Sequence, residues 1–345
     1  MSRSSSRFAR FALTALAALS LQALPAQAQE KVLNLYSARH YQTDEALYDN
    51  FTKATGIRIN RLDGKEEELV ERIRNEGAAS PADVLITVDA SRLEVADSLG
   101  LFQPVHSKLL EARIPAGLRT PNWFAFSTRA RVIVYNKAAI SRDAVLTYAS
   151  LASPGLKGQV CMRSGSHPYN LSLGAALIAH EGVGPTETWA RALVANFARP
   201  PKGGDTDQIK SVAAGECGVT ISNTYYLARM MRSTKPEDQQ AMRAVGMVWP
   251  NQGGWGTHVN ISGAGVIKHA PHHESAVRFL EYLASDSAQA YFADGNNEWP
   301  VVNSVPLTNP ALLEMGRFKP DALPIGQLAK TTVEAQKVFD RAGWK

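Results

Sequence analysis

Short β-rich runs alternate with amphipathic helical stretches along this chain, and that alternation constrains its fold more than any other feature. The sequence predicts a strand over Val32–Tyr36, a helix from Thr43 or Asp44 to Gly56, and a second strand over Ile57–Leu62. A charged helix over Lys65–Glu76 and a third strand over Ala82–Val88 follow. This βαβαβ start predicts an α/β fold with a largely parallel sheet covered by helices.

The same alternation continues in the second half of the chain. Strands are predicted over Arg131–Tyr135, Gln159–Arg163 and Gly218–Ser222. Helices are predicted at about 171–181, 186–197 and 205–215, then over Tyr225–Arg232 and His272–Asp294.

The N-terminus has the pattern of a secretory signal peptide. Three arginines precede an apolar run over Phe11–Leu24, and Ala26–Ala28 supplies a small-x-small cleavage site. The run is shorter than the roughly 20 apolar residues that a membrane-spanning helix needs. We therefore expect cleavage after Ala28 and a soluble periplasmic protein. A mature chain of 317 residues would typically form about two domains.

Charge and cysteine content narrow the class of protein further. Without the three leader arginines the formal charge falls from +5 to +2, and no basic run is interleaved with aromatic residues. This balance argues against nucleic acid or an anionic membrane surface as partner. The two cysteines, Cys161 and Cys217, could form a disulfide in an oxidising compartment or stay as two buried thiols, and we favour the disulfide.

Four of the ten tyrosines lie at predicted strand-to-helix turns rather than within strands or helices. Tyr41, Tyr169 and the adjacent pair Tyr225 and Tyr226 each follow a predicted strand and precede or open a helix. In open α/β sheets ligands bind beyond the carboxyl ends of strands. If the three turns meet in one cleft, these phenols and His40 converge on one point.

Several phenols at one point suit a hard, highly charged cation. A free phenol has a pKa of about 10, but a bound metal can displace its proton, and Fe(III) has the charge to do so. Divalent metals of softer character would recruit cysteines, several histidines or carboxylates instead. Ferric iron is therefore the leading hypothesis, and stacking of tyrosines on an organic solute remains the alternative.

Other residues near these turns have less specific roles. Arg229 lies one helical turn beyond Tyr226, where it could hydrogen-bond a phenolate or hold an anion, and Arg131 is a second candidate. His167 competes with His40 for any role at the site. A secreted hydrolase is the rival from another class, but no G-x-S-x-G elbow or H-E-x-x-H helix is present in the sequence.

Several segments resemble the periplasmic ferric-iron-binding proteins of bacterial ABC importers, especially their tyrosine-rich branch from cyanobacteria. The similarity covers nearly all of the mature chain, and the segments that carry it are 35–44, 81–85, 129–136, 214–229 and 276–289. The resemblance implies a non-catalytic binding protein with a two-lobed type II solute-binding fold. Each lobe would be a mixed sheet flanked by helices, and crossing hinge strands would join the two.

The resemblance also implies site residues and partners. Tyr41, Tyr169, Tyr225 and Tyr226 match the family's metal-binding tyrosines, and His40 matches a histidine that ligates in only some members. Residues 29–125 and about 258–303 would form lobe one, and about 126–257 with 304–345 lobe two. A monomer would bind Fe(III) between the lobes and deliver it to an inner-membrane permease. Whether a carbonate or phosphate completes the coordination is left open.

Overall fold

The computed structural model describes residues 31–39 and 41–345, and residues Lys31–Lys345 form one compact unit. The predicted signal peptide, 1–28, and the candidate ligand His40 lie outside the described residues. Within the described part of the chain, no helix combines the length and the apolar character needed to cross a bilayer.

Helices and strands alternate as the sequence predicts, although several of the observed elements are not predicted from it. The strands are β1 Val32–Ser37, β2 Arg58–Asp63, β3 Val84–Thr87, β4 Trp123–Asn136, β5 Val219–Asn223, β6 Val245–Val248, β7 Val259–Val266 and β8 Trp299–Pro300. The helices are α1 Asp44–Thr55, α2 Glu66–Glu76, α3 Ala90–Ser98, α4 Lys108–Arg113, α5 Pro168–Glu181, α6 Val183–Ala195, α7 Asp205–Ala213, α8 Thr224–Met231, α9 Pro236–Ala244, α10 His273–Leu283, α11 Asp286–Asp294, α12 Pro310–Met315 and α13 Gln327–Ala342.

The strands form a mixed sheet, so the prediction of a largely parallel sheet is wrong. The order is β2-β1-β3-β7-β4-β5, with β6 and β8 also paired to β4. Among the eight strands of the described residues, the β1–β2 and β1–β3 pairs are parallel, whereas β7 runs antiparallel to both β3 and β4. Strand β7 enters the sheet from a distant part of the sequence, and local periodicity carries no information about the direction of such a strand.

The longest strand, β4, links separate hydrophobic cores. It has 14 residues, where the sequence predicts only Arg131–Tyr135. Its first part pairs with β7 and its last part with β5 and β6. One core contains Phe124 and Phe126 from the start of β4, and two others contain Ile133 and Val134 from its end. The predicted lobe boundaries themselves stay a prediction.

Two predicted elements differ in the structure. The segment Gln159–Arg163 is not a strand, because only Val160 forms isolated bridges, to Phe197 and Val219. The predicted helix His272–Asp294 is two helices, α10 and α11, because the Ser285 hydroxyl accepts from the Ala288 amide and caps a new helix start. Apolar spacing continues across this break, so periodicity alone does not reveal it.

The two cysteines form the favoured disulfide. Cys161 and Cys217 are bonded with a Cα–Cα distance of 5.8 Å. The bond ties the start of β5 to the segment that leads to α5, and the Cys161 amide also donates to the Val219 carbonyl. Each cysteine lies eight residues before a candidate ligand, Tyr169 or Tyr225.

Candidate metal centre

The adjacent tyrosines lie at the turn from β5 into α8, where the sequence predicts them. Asn223 ends β5 and does not cap the helix with its side chain. Instead the Thr224 hydroxyl accepts from the Ala130 amide, which fixes the start of α8 against β4. Tyr225 is buried and Tyr226 is partly exposed, with their ring centroids 4.3 Å apart. Both rings therefore lie on the same side of the turn.

The other two turns bring Tyr169 and Tyr41 to the same place. Tyr169 is the second residue of α5, and its amide donates to Nδ1 of His167, the N-cap. The Tyr225 hydroxyl donates to the Tyr169 hydroxyl at 2.8 Å. The Tyr41 ring packs edge-on against Tyr225, with centroids 5.5 Å apart. The structure thus gathers all four predicted tyrosines into one cluster.

Burial favours the protonated form of the tyrosines in this cluster. Burial raises the pKa of Tyr41, Tyr169 and Tyr225 well above the ordinary phenol value, and each also faces a neighbouring group that could carry negative charge. For Tyr41 that neighbour is the Glu298 carboxylate, and for Tyr225 it is chiefly Tyr169. The Arg129 guanidinium acts in the opposite direction on the pKa of all three. Before metal arrives, these phenols are neutral at pH 7.

Three guanidinium groups surround Tyr169. Those of Arg129, Arg131 and Arg163 lie 6.0, 5.9 and 5.2 Å from its ring centroid. Arg131 and Arg163 both pair with Asp205, at 2.6 and 2.9 Å. Two arginines share one carboxylate, so positive charge is in excess beside the phenols and would favour their ionised form.

The two arginines proposed from the sequence occupy different environments. Arg131 is buried in β4 and also donates to Asn170 at 2.7 Å. Arg229 is exposed, donates to the Thr206 hydroxyl at 3.1 Å, and places its guanidinium 5.2 Å from the Tyr226 ring centroid. Both lie beside the tyrosine cluster, and their roles in metal binding stay predictions.

Sequence reasoning missed the carboxylate of this site, Glu298. It is fully buried and accepts from the Tyr41 hydroxyl at 2.9 Å and from the Ser127 hydroxyl at 2.7 Å. Arg39 and Arg129 each approach it to 3.7 Å. Arg129 could have been found, since alternation in a strand places it on the same face as Arg131. Glu298 gives no local signal, because it lies 257 residues from Tyr41.

His167 lies at the edge of this cluster, with its ring centroid 4.4 Å from that of Tyr169. His167 caps α5, and Nδ1 of His272 lies 3.0 Å from Asp83 at the start of α10. Across residues 31–39 and 41–345, no group of three or more His, Cys, Asp or Glu side chains could hold a metal ion. The candidate donors at this cluster are the phenol oxygens, and the Glu298 carboxylate lies beside them, bonded to the Tyr41 hydroxyl.

A cavity opens directly beside the tyrosines. It has a volume of about 390 Å³ and is lined by Tyr41, Tyr225, Arg229 and the segment Gly295–Asn297, among others. Of the four tyrosines, Tyr41 and Tyr225 line this cavity.

Comparison with known proteins assigns the family. The family model described as bacterial extracellular solute-binding protein matches residues 46–314. This chain belongs to that family. Its matched relatives are solute-binding transport proteins, which confirms the prediction that it is not an enzyme. They also confirm the two-lobed fold of the periplasmic ferric-binding proteins.

Individual members of the family are similar over nearly the whole chain. Iron uptake protein A1 of Synechocystis is 48% identical, over 93% of this chain and 89% of that protein. The solved structure of the Trichodesmium IdiA (FutA) protein in complex with iron and citrate ligands is 52% identical, with a TM-score of 0.85, over 91% and 100% of the two chains. The ferric binding protein of Campylobacter jejuni is 40% identical, with a TM-score of 0.86, over 91% and 100%.

Proposed function

We propose that this protein captures Fe(III) with the phenolates of Tyr41, Tyr169, Tyr225 and Tyr226. The observation that carries the proposal is the 2.8 Å contact between the Tyr225 and Tyr169 hydroxyls, with Tyr41 packed against Tyr225. Tyr169 and Tyr225 come from separate turns, and packing alone gives no reason for their hydroxyl oxygens to meet. A trivalent cation that bonds to three or four phenolates would remain well neutralised in a buried site.

The surroundings of the cluster support iron in the ferric state. Arg129, Arg131 and Arg163 favour negative charge on the phenols, and Fe(III) displaces phenol protons more readily than a divalent cation. His40 could add a nitrogen ligand from the segment before Tyr41. The relative from Trichodesmium was solved with both iron and citrate, so a small carboxylate anion is a candidate to complete coordination here.

We further propose where this capture takes place and where the iron goes. Tyr41 would come from lobe one, and Tyr169 and the adjacent pair from lobe two, so iron would bridge the lobes of a monomer. The protein would act in the periplasm and deliver iron to the permease of an ABC importer, as its family description and iron-uptake relatives suggest.

Colour and heat stability together test the proposal. Purified metal-free protein mixed with ferric citrate should develop a visible phenolate-to-iron absorption band and unfold at a higher temperature. Sodium citrate without iron should do neither. Stabilisation by citrate or another anion alone, without colour, would instead favour a binding protein for an anion or small organic solute.

A further inference from the structure

One short segment, Asp294–Glu298, contacts both sides of the tyrosine cluster. It begins at the last residue of α11 and ends directly before β8. We call it the bridging segment. Its residues Gly295 to Asn297 form one wall of the cavity beside Tyr41 and Tyr225.

On one side the bridging segment holds the loop that carries Tyr41. Glu298 accepts from the Tyr41 hydroxyl at 2.9 Å. Asn296 donates to the Asp44 carboxylate at 2.8 Å and accepts from the Thr43 hydroxyl. Three hydrogen bonds therefore fix the Tyr41 loop to this segment.

On the other side the bridging segment holds the end of α8, the helix that begins with the tyrosine pair. Arg232 directly follows α8 and donates from Nη1 to the Asn297 side-chain oxygen at 2.7 Å and to the Asp294 carbonyl. The Asn297 oxygen also accepts from Asn309 at 2.9 Å. Asn297 itself has a φ of 59°, a left-handed conformation that few residues other than glycine adopt.

The bridging segment is also fastened to the long strand between the cores. The Ser127 hydroxyl of β4 donates to Glu298 at 2.7 Å, and β8 pairs with β4 at Ser127 and Thr128. The register of β4 against β7 shifts between Ala125 and Ser127. The bridging segment is therefore bonded to the Tyr41 loop, to the end of α8 and to β4.

From these contacts we infer that the bridging segment holds the two halves of the iron site together, with Arg232 and Glu298 as positioning residues. This inference rests on the proposed function. Neither residue needs to touch the metal. Arg232 keeps the tyrosine pair close to the Tyr41 loop, and its loss would let iron leave sooner.

The rate of iron loss tests this inference. Wild-type protein and the Arg232→Gln variant are loaded from ferric citrate, and the decay of the visible band is followed in excess EDTA. Loss of these hydrogen bonds should speed the decay about fivefold or more, since each bond contributes on the order of 1 kcal/mol. The band should keep its wavelength, because the ligands are unchanged.

Matched variants separate this role from general destabilisation. Arg191 is an exposed arginine on α6 that pairs with Glu187 of the same helix, and Arg191→Gln should decay like wild type. Asn297→Gly removes one acceptor of Arg232 but permits the left-handed backbone. The combined variant Arg232→Gln/Asn297→Gly should lose iron more slowly than the product of the two single effects predicts, because the bond between Arg232 and Asn297 is lost only once.

The possible outcomes distinguish this inference from the proposed function. A wild-type protein that never colours contradicts the proposed function. If wild type colours but Arg232→Gln loses iron no faster than Arg191→Gln, the bridging role is wrong. A shifted band in Arg232→Gln, or fully additive effects of Arg232→Gln and Asn297→Gly, would also overturn it.

Discussion

At the scale of single residues, the site is a set of neutral phenols beside excess positive charge. Burial raises the pKa of Tyr41, Tyr169 and Tyr225, so metal-free protein keeps their protons. The nearby arginines reduce the cost of removing those protons when a cation arrives. The cluster is therefore uncharged without metal and suited to bind a highly charged cation.

Removal of single hydroxyls should separate ligands from structural tyrosines. Tyr225→Phe and Tyr226→Phe should each weaken ferric iron binding by at least tenfold, because each deletes a phenolate donor. Tyr282, whose hydroxyl donates to the Leu47 carbonyl in a hydrophobic region, is the matched control. Competition with citrate, followed by visible absorbance, gives the affinities. Equal affinities for all three variants would contradict the ligand assignment.

Iron affinity should fall as the pH falls. The raised pKa values keep the phenols protonated at and below pH 8, so each phenolate formed must release a proton. Each released proton weakens binding about tenfold for every unit that the pH decreases. Competition with citrate at pH 6, 7 and 8 gives the slope of the logarithm of iron affinity against pH. In Tyr225→Phe the slope should be smaller by about one proton, and an unchanged slope would show that Tyr225 never ionises.

At the scale of helices and strands, the turns that lead into α1, α5 and α8 position the candidate ligands. The sequence predicts these turns because tyrosines follow apolar β-rich runs and precede helical periodicity. Tyr41 follows β1 and the adjacent pair follows β5 as expected, whereas Tyr169 opens α5 after a segment that is not a strand. It does not predict Glu298 or the antiparallel entry of β7, since both depend on contacts between residues far apart in the chain. The predicted strand Gln159–Arg163 fails for a related reason: its apolar residues pack without forming a ladder.

The disulfide should stabilise the elements that carry Tyr169 and Tyr225. It closes a sequence separation of 56 residues, and bonds of this kind typically contribute about 2–4 kcal/mol to the free energy of unfolding. The double variant Cys161→Ser/Cys217→Ser should therefore unfold at a lower urea concentration, and it should bind iron more weakly. Wild-type protein treated with a reductant is the control, and it should show the same lower urea midpoint and weaker iron binding as the double variant. An unchanged urea midpoint would mean that the bond is not needed for stability.

At the scale of the whole molecule, iron should act as a link between separate cores. Tyr41 follows β1, which packs in one core, whereas the adjacent tyrosines lead α8, which packs in another. Only a ligand that contacts residues attached to both cores can favour an arrangement in which the two cores lie close together. Such a link would suit a member of this family, because a solute-binding protein must hold its solute firmly and then release it.

Small-angle scattering should show this link. The radius of gyration of wild type should decrease, and not increase, when ferric citrate is added. Tyr41→Phe should keep the colour that the other three tyrosines give. Its radius of gyration should decrease less, because its bound iron contacts mainly residues attached to one core. Tyr282→Phe should contract like wild type. Full contraction of Tyr41→Phe would show that Tyr41 is not the link.

A crystal structure of the iron-loaded protein, with the metal located by its anomalous scattering, tests the central claim most directly. The account predicts one iron within bonding distance of the hydroxyl oxygens of Tyr169, Tyr225 and Tyr226 and of Tyr41 from the opposite side. Iron located elsewhere, or a site in which these hydroxyls remain bonded to one another, would contradict it.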